Sequence, residues 1–199
     1  MGTGDGGRRN GRRARHEATR RRILEAAWAL SREHGLQGWS LRDVAGVVGM
    51  RAPSLYVYFE SKHDLYDAMY ADGYRDLLAR IDATSLDGTP DEVLHRAAHT
   101  FFGFCVDDPP RHHLLFLRTI PGFAPSSTSY ALAQEALDRL ATVLHAADLP
   151  SRSAVDLWTA VFTGLATQQV SNDPGGDRWA RLVDPAVDLI VSMRQPSDR

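Results

Sequence analysis

Between Ser40 and Lys62 the chain reads Ser-Leu-Arg-Asp-Val-Ala-Gly-Val-Val-Gly-Met-Arg-Ala-Pro-Ser-Leu-Tyr-Val-Tyr-Phe-Glu-Ser-Lys, and this stretch restricts the fold more than any other. Ser40 followed three residues later by Asp43 is a capping box with Asp in place of Glu or Gln, so a helix starts here. Val44, Ala45 and Val48 give that helix an apolar face. Gly49 ends it where a left-handed residue is wanted. Pro53 suits the first turn of a second helix, where its missing N–H costs little. Leu55 and Phe59 lie one turn apart and point inward, leaving Ser54, Tyr56 and Tyr58 for the outer surface. Ser61 and Asp64 repeat the capping pattern and open a further helix. Two short helices joined by a glycine turn form a helix-turn-helix, whose second helix fits a DNA major groove.

Charge supports a polyanion partner for this part of the chain. Residues 1–62 hold 12 Arg and Lys against 6 Asp and Glu, whereas residues 63–199 hold 11 against 19. A basic first third on an acidic remainder is the footprint of a nucleic-acid module attached to something else. Residues 1–15, rich in Gly and Arg, show no apolar periodicity and are expected to be a disordered basic arm. The single cysteine, Cys105, cannot form an internal disulfide and falls on an apolar helix face, which implies a buried, inert thiol in a cytoplasmic protein. No apolar stretch is long enough to span a bilayer.

Helical periodicity continues to the C-terminus without a strand pattern. The spacing predicts helices over about 17–34, 62–82, 90–106, 110–118, 127–147 and 177–194, besides the two short ones and one that is capped by Ser151 or Ser153 and runs to about Ser171. Pro185 is expected to kink or restart the last, with Asp184 as its cap. The fold class is therefore all-α with about nine helices. The expected domains are the arm over 1–15, a helix-turn-helix domain over 16–62, and a helical effector-binding and dimerisation domain over 63–199.

The N-terminal third resembles the TetR family of transcriptional repressors. The resemblance rests on Arg22-Ile-Leu-Glu-Ala-Ala, Gly35, Ser40, Val44-Ala45, Gly49, Leu55-Tyr56-Val57-Tyr58-Phe59, Ser61-Lys62 and Leu65. It implies an N-terminal three-helix DNA-binding domain, a C-terminal ligand-binding and dimerising domain, and a homodimer. It also implies a phosphate contact for Lys62. The expected DNA-binding residues are Ser40, Arg42, Arg51, Ala52, Pro53, Ser54, Tyr56, Tyr58 and Lys62. Arg51, at the leading end of the recognition helix, is the candidate for base readout, and the tyrosine hydroxyls are candidates for phosphate.

Helices five to eight are rich in aromatics and histidines. His95, His99, Phe102, His113, Phe116, Trp158 and Phe162 are expected to line a pocket for an unidentified small-molecule effector. No metal or cofactor is expected, because the His95–His99 pair lacks a completing Cys or carboxylate set. No catalytic motif is present. Helices eight and nine, with Leu165 and Val187, are expected to form the homodimer interface. The reading is a non-enzymatic repressor on double-stranded DNA with an inverted-repeat operator.

Overall fold

A computed structural model describes residues 5–194, and every described element is helical or irregular. The chain forms two compact units. The first contains residues up to Met69 together with Ile120–Ala124, and the second contains Tyr70–Thr119 and the chain from Pro125 onward.

The first unit is built on α1 (Asp5–His34), α2 (Leu41–Val47), α3 (Ala52–Leu55) and the opening turns of α4 (Lys62–Ala83). Ile23, Ala27, Trp28, Val44, Leu55, Phe59, Leu65 and Met69 form its core, all nearly inaccessible. Gly35, at φ +75°, ends α1 in the left-handed region that favours glycine. The Ser40–Asp43 box is complete: Asp43 N donates to Ser40 Oγ at 3.3 Å, and Ser40 N donates to Asp43 Oδ2 at 2.7 Å. The Ser61–Asp64 pair is likewise reciprocal, with both bonds at 3.0 Å. Phe123 returns to this unit edge-on to Tyr66, with ring centroids 5.8 Å apart.

Three expectations are corrected here. Helix α1 begins at Asp5, so residues 5–15 are helical rather than irregular; residues 1–4 lie outside the described residues. Once the packed segment of α1 is formed, each added residue costs no new nucleus, and arginine is a good helix former. The division between units falls inside α4, after Met69 rather than at residue 62. Its cause is the first turns of α4, whose Leu65, Tyr66 and Met69 are buried. Finally, the last helix restarts. A 3₁₀ turn over Ala180–Leu182 precedes α9 (Val183–Val191), and Leu182, not Asp184, occupies the cap position. Pro185 then sits in the first turn, where no N–H is needed.

The second unit is organised on α5 (Pro90–Asp107), which packs against α6 (Pro109–Phe116), α7 (Ser127–Ala146), α8 (Arg152–Asn172) and α9. Leu94, Ala98, Phe104 and Cys105 of α5 are all essentially inaccessible, and Phe162 of α8 with Val187 of α9 completes the layer. Val187 therefore belongs to its own protomer's core and not to a partner-facing stripe. Burial pushes the Cys105 thiol pKa up, so the sulfur stays protonated as expected. Gln169 of α8 is a buried clamp. Its Oε1 accepts from Trp179 N at 2.9 Å and Ala180 N at 3.1 Å, while Nε2 donates to Gly176 O at 3.1 Å.

Helix α5 opens on a third reciprocal capping box. Thr89 N donates to Glu92 Oε2 at 2.7 Å, and Glu92 N donates to Thr89 Oγ1 at 3.3 Å. The Glu92 carboxyl is held below its ordinary pKa by the Thr89 backbone N–H and then its hydroxyl. A carboxyl depressed on folding contributes stability that is present above its unfolded value and lost as pH falls through the folded one. Thr89→Ala is expected to cost about 1 kcal/mol at neutral pH. In urea melts this difference should shrink, without vanishing, as pH falls below the ordinary carboxylate range, because the Glu92 N–H bond to the Thr89 hydroxyl does not titrate. A difference independent of pH would count against the reciprocal box.

Candidate nucleic-acid interface

The turn between α2 and α3 is set by Gly49 at φ +72° and by Met50 N donating to Ala45 O at 2.8 Å. Arg51 takes the extended cap conformation before α3, and Pro53 lies in the first helical turn. Leu55 and Phe59, at 0% and 2% exposure, anchor the helix inward. That anchoring turns Arg51, Pro53, Ser54 and Tyr56 outward, all exposed, with Ala52 and Tyr58 half-buried. Arg42, on the first turn of α2, is exposed as well. Ser40 is exposed, but its hydroxyl is already engaged with Asp43 at 2.7 Å.

Side chains of α1 hold this surface from behind. Arg20 Nη1 donates to Tyr58 O at 2.9 Å, and its guanidinium lies 4.3 Å from the Phe59 ring centroid. Arg22 Nη2 donates to Val48 O at 3.1 Å, satisfying a carbonyl at the end of α2. His16 stacks on Tyr58 with centroids 4.7 Å apart. Sequence reasoning assigned no role to Arg20 or His16, because nothing local marks an arginine that reaches 38 residues along the chain. Val57 was also passed over; at 74% exposure it is an apolar side chain standing in solvent beside Tyr56. The Tyr-Val-Tyr alternation between two buried residues was the signal that could have found it.

The loop between α1 and α2 is tied down by polar groups. Lys62 Nζ donates to Gln37 O at 3.3 Å and to Trp39 O, and lies 4.2 Å from the Trp39 ring centroid. Tyr66 OH donates to Leu36 O, and Trp39 Nε1 donates to Ser31 Oγ at 2.9 Å. Partial burial pulls the Lys62 pKa down. Two of its three ammonium donors are thus spent within the unit.

The residues expected to line an effector pocket separate into groups. His95 and His99 sit at the surface of α5 along an open cleft with Arg80, Thr84, Arg96 and Thr100. They meet carboxylates of α9: Asp184 Oδ1 lies 2.9 Å from His95 Nδ1 and 2.8 Å from His99 Nε2, and Asp188 Oδ1 lies 3.1 Å from His95 Nε2. The Asp184 carboxyl is held below its ordinary pKa by these imidazoles. Among the described residues no group of three or more His, Cys, Asp or Glu is arranged to hold a metal. Phe102, Trp158 and Phe162 are buried core, with the Trp158 and Phe162 centroids 4.4 Å apart. Phe116 is half-buried at the hub of an aromatic cluster with Tyr74, Phe101, Phe104 and His112. His113 is half-buried, whereas its neighbour His112 is wholly inaccessible.

Comparison with known proteins agrees with this architecture. Residues 23–69 match the family model described as bacterial regulatory proteins, tetR family. The HTH-type transcriptional regulator Rv1816 of Mycobacterium tuberculosis is 31% identical over 127 residues, which cover 61% of this chain and 54% of that protein. The regulator Mb1846 of Mycobacterium bovis matches with the same identity and coverage. The chain thus spans about half the length of the curated relatives it matches. Among solved structures, the regulatory protein SCO4313 aligns with a TM-score of 0.76 at 20% identity, over 90% of this chain and 98% of that one. The regulator FadR from Bacillus subtilis, solved in complex with stearoyl-CoA, aligns with a TM-score of 0.65 at 17% identity, over 86% and 97%. At these identities the structural likeness is one of fold.

Lys62→Met is expected to release the loop that precedes α2. Losing its hydrogen bonds should cost about 1 kcal/mol, and amide exchange at Leu36 to Ser40 should accelerate while α5 amides stay unchanged. Unaltered protection across the loop would show that Lys62 does not hold it.

Proposed function

We propose that this chain, which belongs to the TetR family of bacterial regulatory proteins, is a cytoplasmic, non-catalytic, DNA-binding transcriptional repressor. It binds an inverted-repeat operator as a homodimer and is released by a small-molecule effector. The observation that carries the DNA-binding reading is the outward set Arg51, Pro53, Ser54 and Tyr56, presented by a four-residue helix whose inward residues are locked in the core. A rigidly anchored short helix with polar groups on its free face fits a major groove.

In this reading Arg51 reads a guanine edge and Tyr56 and Tyr58 give their hydroxyls to phosphate. Arg42 and Ser54 flank the groove, and Ala52 and Pro53 let the backbone approach it closely. Ser40 keeps α2 in register through its cap. Lys62 contributes chiefly by fixing the loop, with its remaining donor free for phosphate.

The second unit serves sensing and association. No helix among the described residues is long and apolar enough to cross a membrane. Leu189 and Met193, at 67% and 59% exposure, stand beyond the core of α9, and Leu165 of α8 is half-buried. These are the apolar side chains available to a second copy, and a helix pair from each subunit makes a four-helix interface. A two-fold dimer sets the recognition helices about 34 Å apart, so operator symmetry follows protein symmetry. The effector acts by preferring one of two conformations, and α4, which contributes residues to both units, is the element through which the preference is transmitted.

Tyr56→Phe should weaken binding to all duplexes alike without changing the melting temperature, because its hydroxyl contacts only the backbone. Arg51→Ala should cost about 1–3 kcal/mol and relax preference at one operator position. Leu189→Glu should give a monomer in sedimentation with reduced operator affinity. A wild-type monomer, or an Arg51→Ala protein with unchanged sequence preference, would contradict this reading.

A further inference from the structure

His112 of α6 has no exposed surface, and one of its nitrogens has a defined partner: Nε2 lies 3.0 Å from Thr167 Oγ1. The Thr167 hydroxyl donates to Thr163 O at 2.7 Å. A hydroxyl carries one proton, so towards His112 it offers a lone pair, and Nε2 must hold the ring proton. Nδ1 is then a bare acceptor, and among the described residues no donor meets it. The Thr163 hydroxyl, one turn away from Thr167 on α8, is buried and also without a partner. A buried polar atom without a partner is rare in folded proteins and calls for a cause.

The surroundings are largely aromatic, with the Arg80 guanidinium over Phe104 and the buried Asp108 one turn before His112. Phe116 lies 5.7 Å from the His112 ring, and it also meets Phe101 at 5.2 Å and Tyr74 at 6.0 Å. Burial, and then the neighbouring His113, lower the His112 pKa to about 4, so the ring is neutral at physiological pH. Burial also pushes the Tyr74 hydroxyl and the Cys105 thiol towards their neutral forms. Phe101, His113 and Phe116 are half-buried, so the ring cluster beside His112 reaches the surface.

We propose that His112 Nδ1, with the Thr163 hydroxyl, is the polar anchor of the effector site and takes an uncharged aromatic or apolar molecule through a hydroxyl or N–H donor. This rests on the effector-responsive reading above and specifies its ligand class. Carboxylates lack the donor that a bare Nδ1 requires.

The test uses the full-length protein with phenol, anisole and benzoate at neutral pH. Calorimetry should show phenol binding, anisole about tenfold weaker for want of one hydrogen bond, and no heat from benzoate. In ¹⁵N spectra of the histidine rings, His112 should show a protonated Nε2 and a bare Nδ1, and phenol should shift the Nδ1 resonance. His112→Phe should abolish the phenol–anisole difference; if that variant does not fold, the ring spectra of the wild type decide alone. Equal binding of phenol and anisole, tighter binding of benzoate, or an Nδ1 resonance unmoved at saturating phenol would overturn the proposal. Operator release by other molecules, with Nδ1 unresponsive to phenol, overturns this site and leaves the regulator reading standing. A phenol-responsive Nδ1 in a protein without sequence-selective duplex binding does the reverse.

Discussion

Three carbonyl oxygens in the loop between α1 and α2, those of Leu36, Gln37 and Trp39, accept hydrogen bonds from two side chains at the start of α4. Irregular backbone close to a core is costly unless its polar groups are paired. Tyr66 and Lys62 pair them, and Trp39 closes the arrangement from the other side through Ser31. Ser40 follows this loop directly and starts α2, so the loop sets where α2 begins. The position of α2 then sets the glycine turn, and the turn sets the direction of α3. A surface that reads DNA must be held to a fraction of an ångström, and in the proposed reading that precision comes from hydrogen bonds well away from Arg51 and Tyr56.

Arginine does two different jobs in this unit. Arg20 and Arg22 reach back to backbone carbonyls in the turn after α3 and at the end of α2, while Arg42 and Arg51 stay in solvent. Net positive charge alone would not separate the two groups. This pair gives charge-assisted bonds to one helix-end carbonyl and one turn carbonyl, which stiffens the platform on which Arg42 and Arg51 are displayed.

What could be read from the chain follows the range of the interaction. Ser40 with Asp43, Gly49, and Ser61 with Asp64 act within three or four residues, and their caps and turn stand where the spacing predicted them. The inward pair Leu55 and Phe59 was legible for the same reason. Residues whose role depends on distant packing were not. His112 and His113 are adjacent on a two-turn helix, and only tertiary packing decides which ring is buried. His95 and His99 line an open cleft, but that α9 brings Asp184 and Asp188 against them from 85 or more residues away could not be read locally. Val187 carries the same apolar signal whether it faces its own core or a partner, and only the packing of α9, which buries Val183, Val187 and Ile190 together, shows that it turns inward.

The central claim is that α3 reads DNA sequence on behalf of a two-fold assembly. Selection of bound sequences from random duplex DNA by the full-length protein tests it most directly. The account predicts enrichment of an inverted repeat with half-site centres one helical turn apart, about 34 Å. A bound pool indistinguishable from the input, at a salt concentration where the protein still binds duplex, would contradict it.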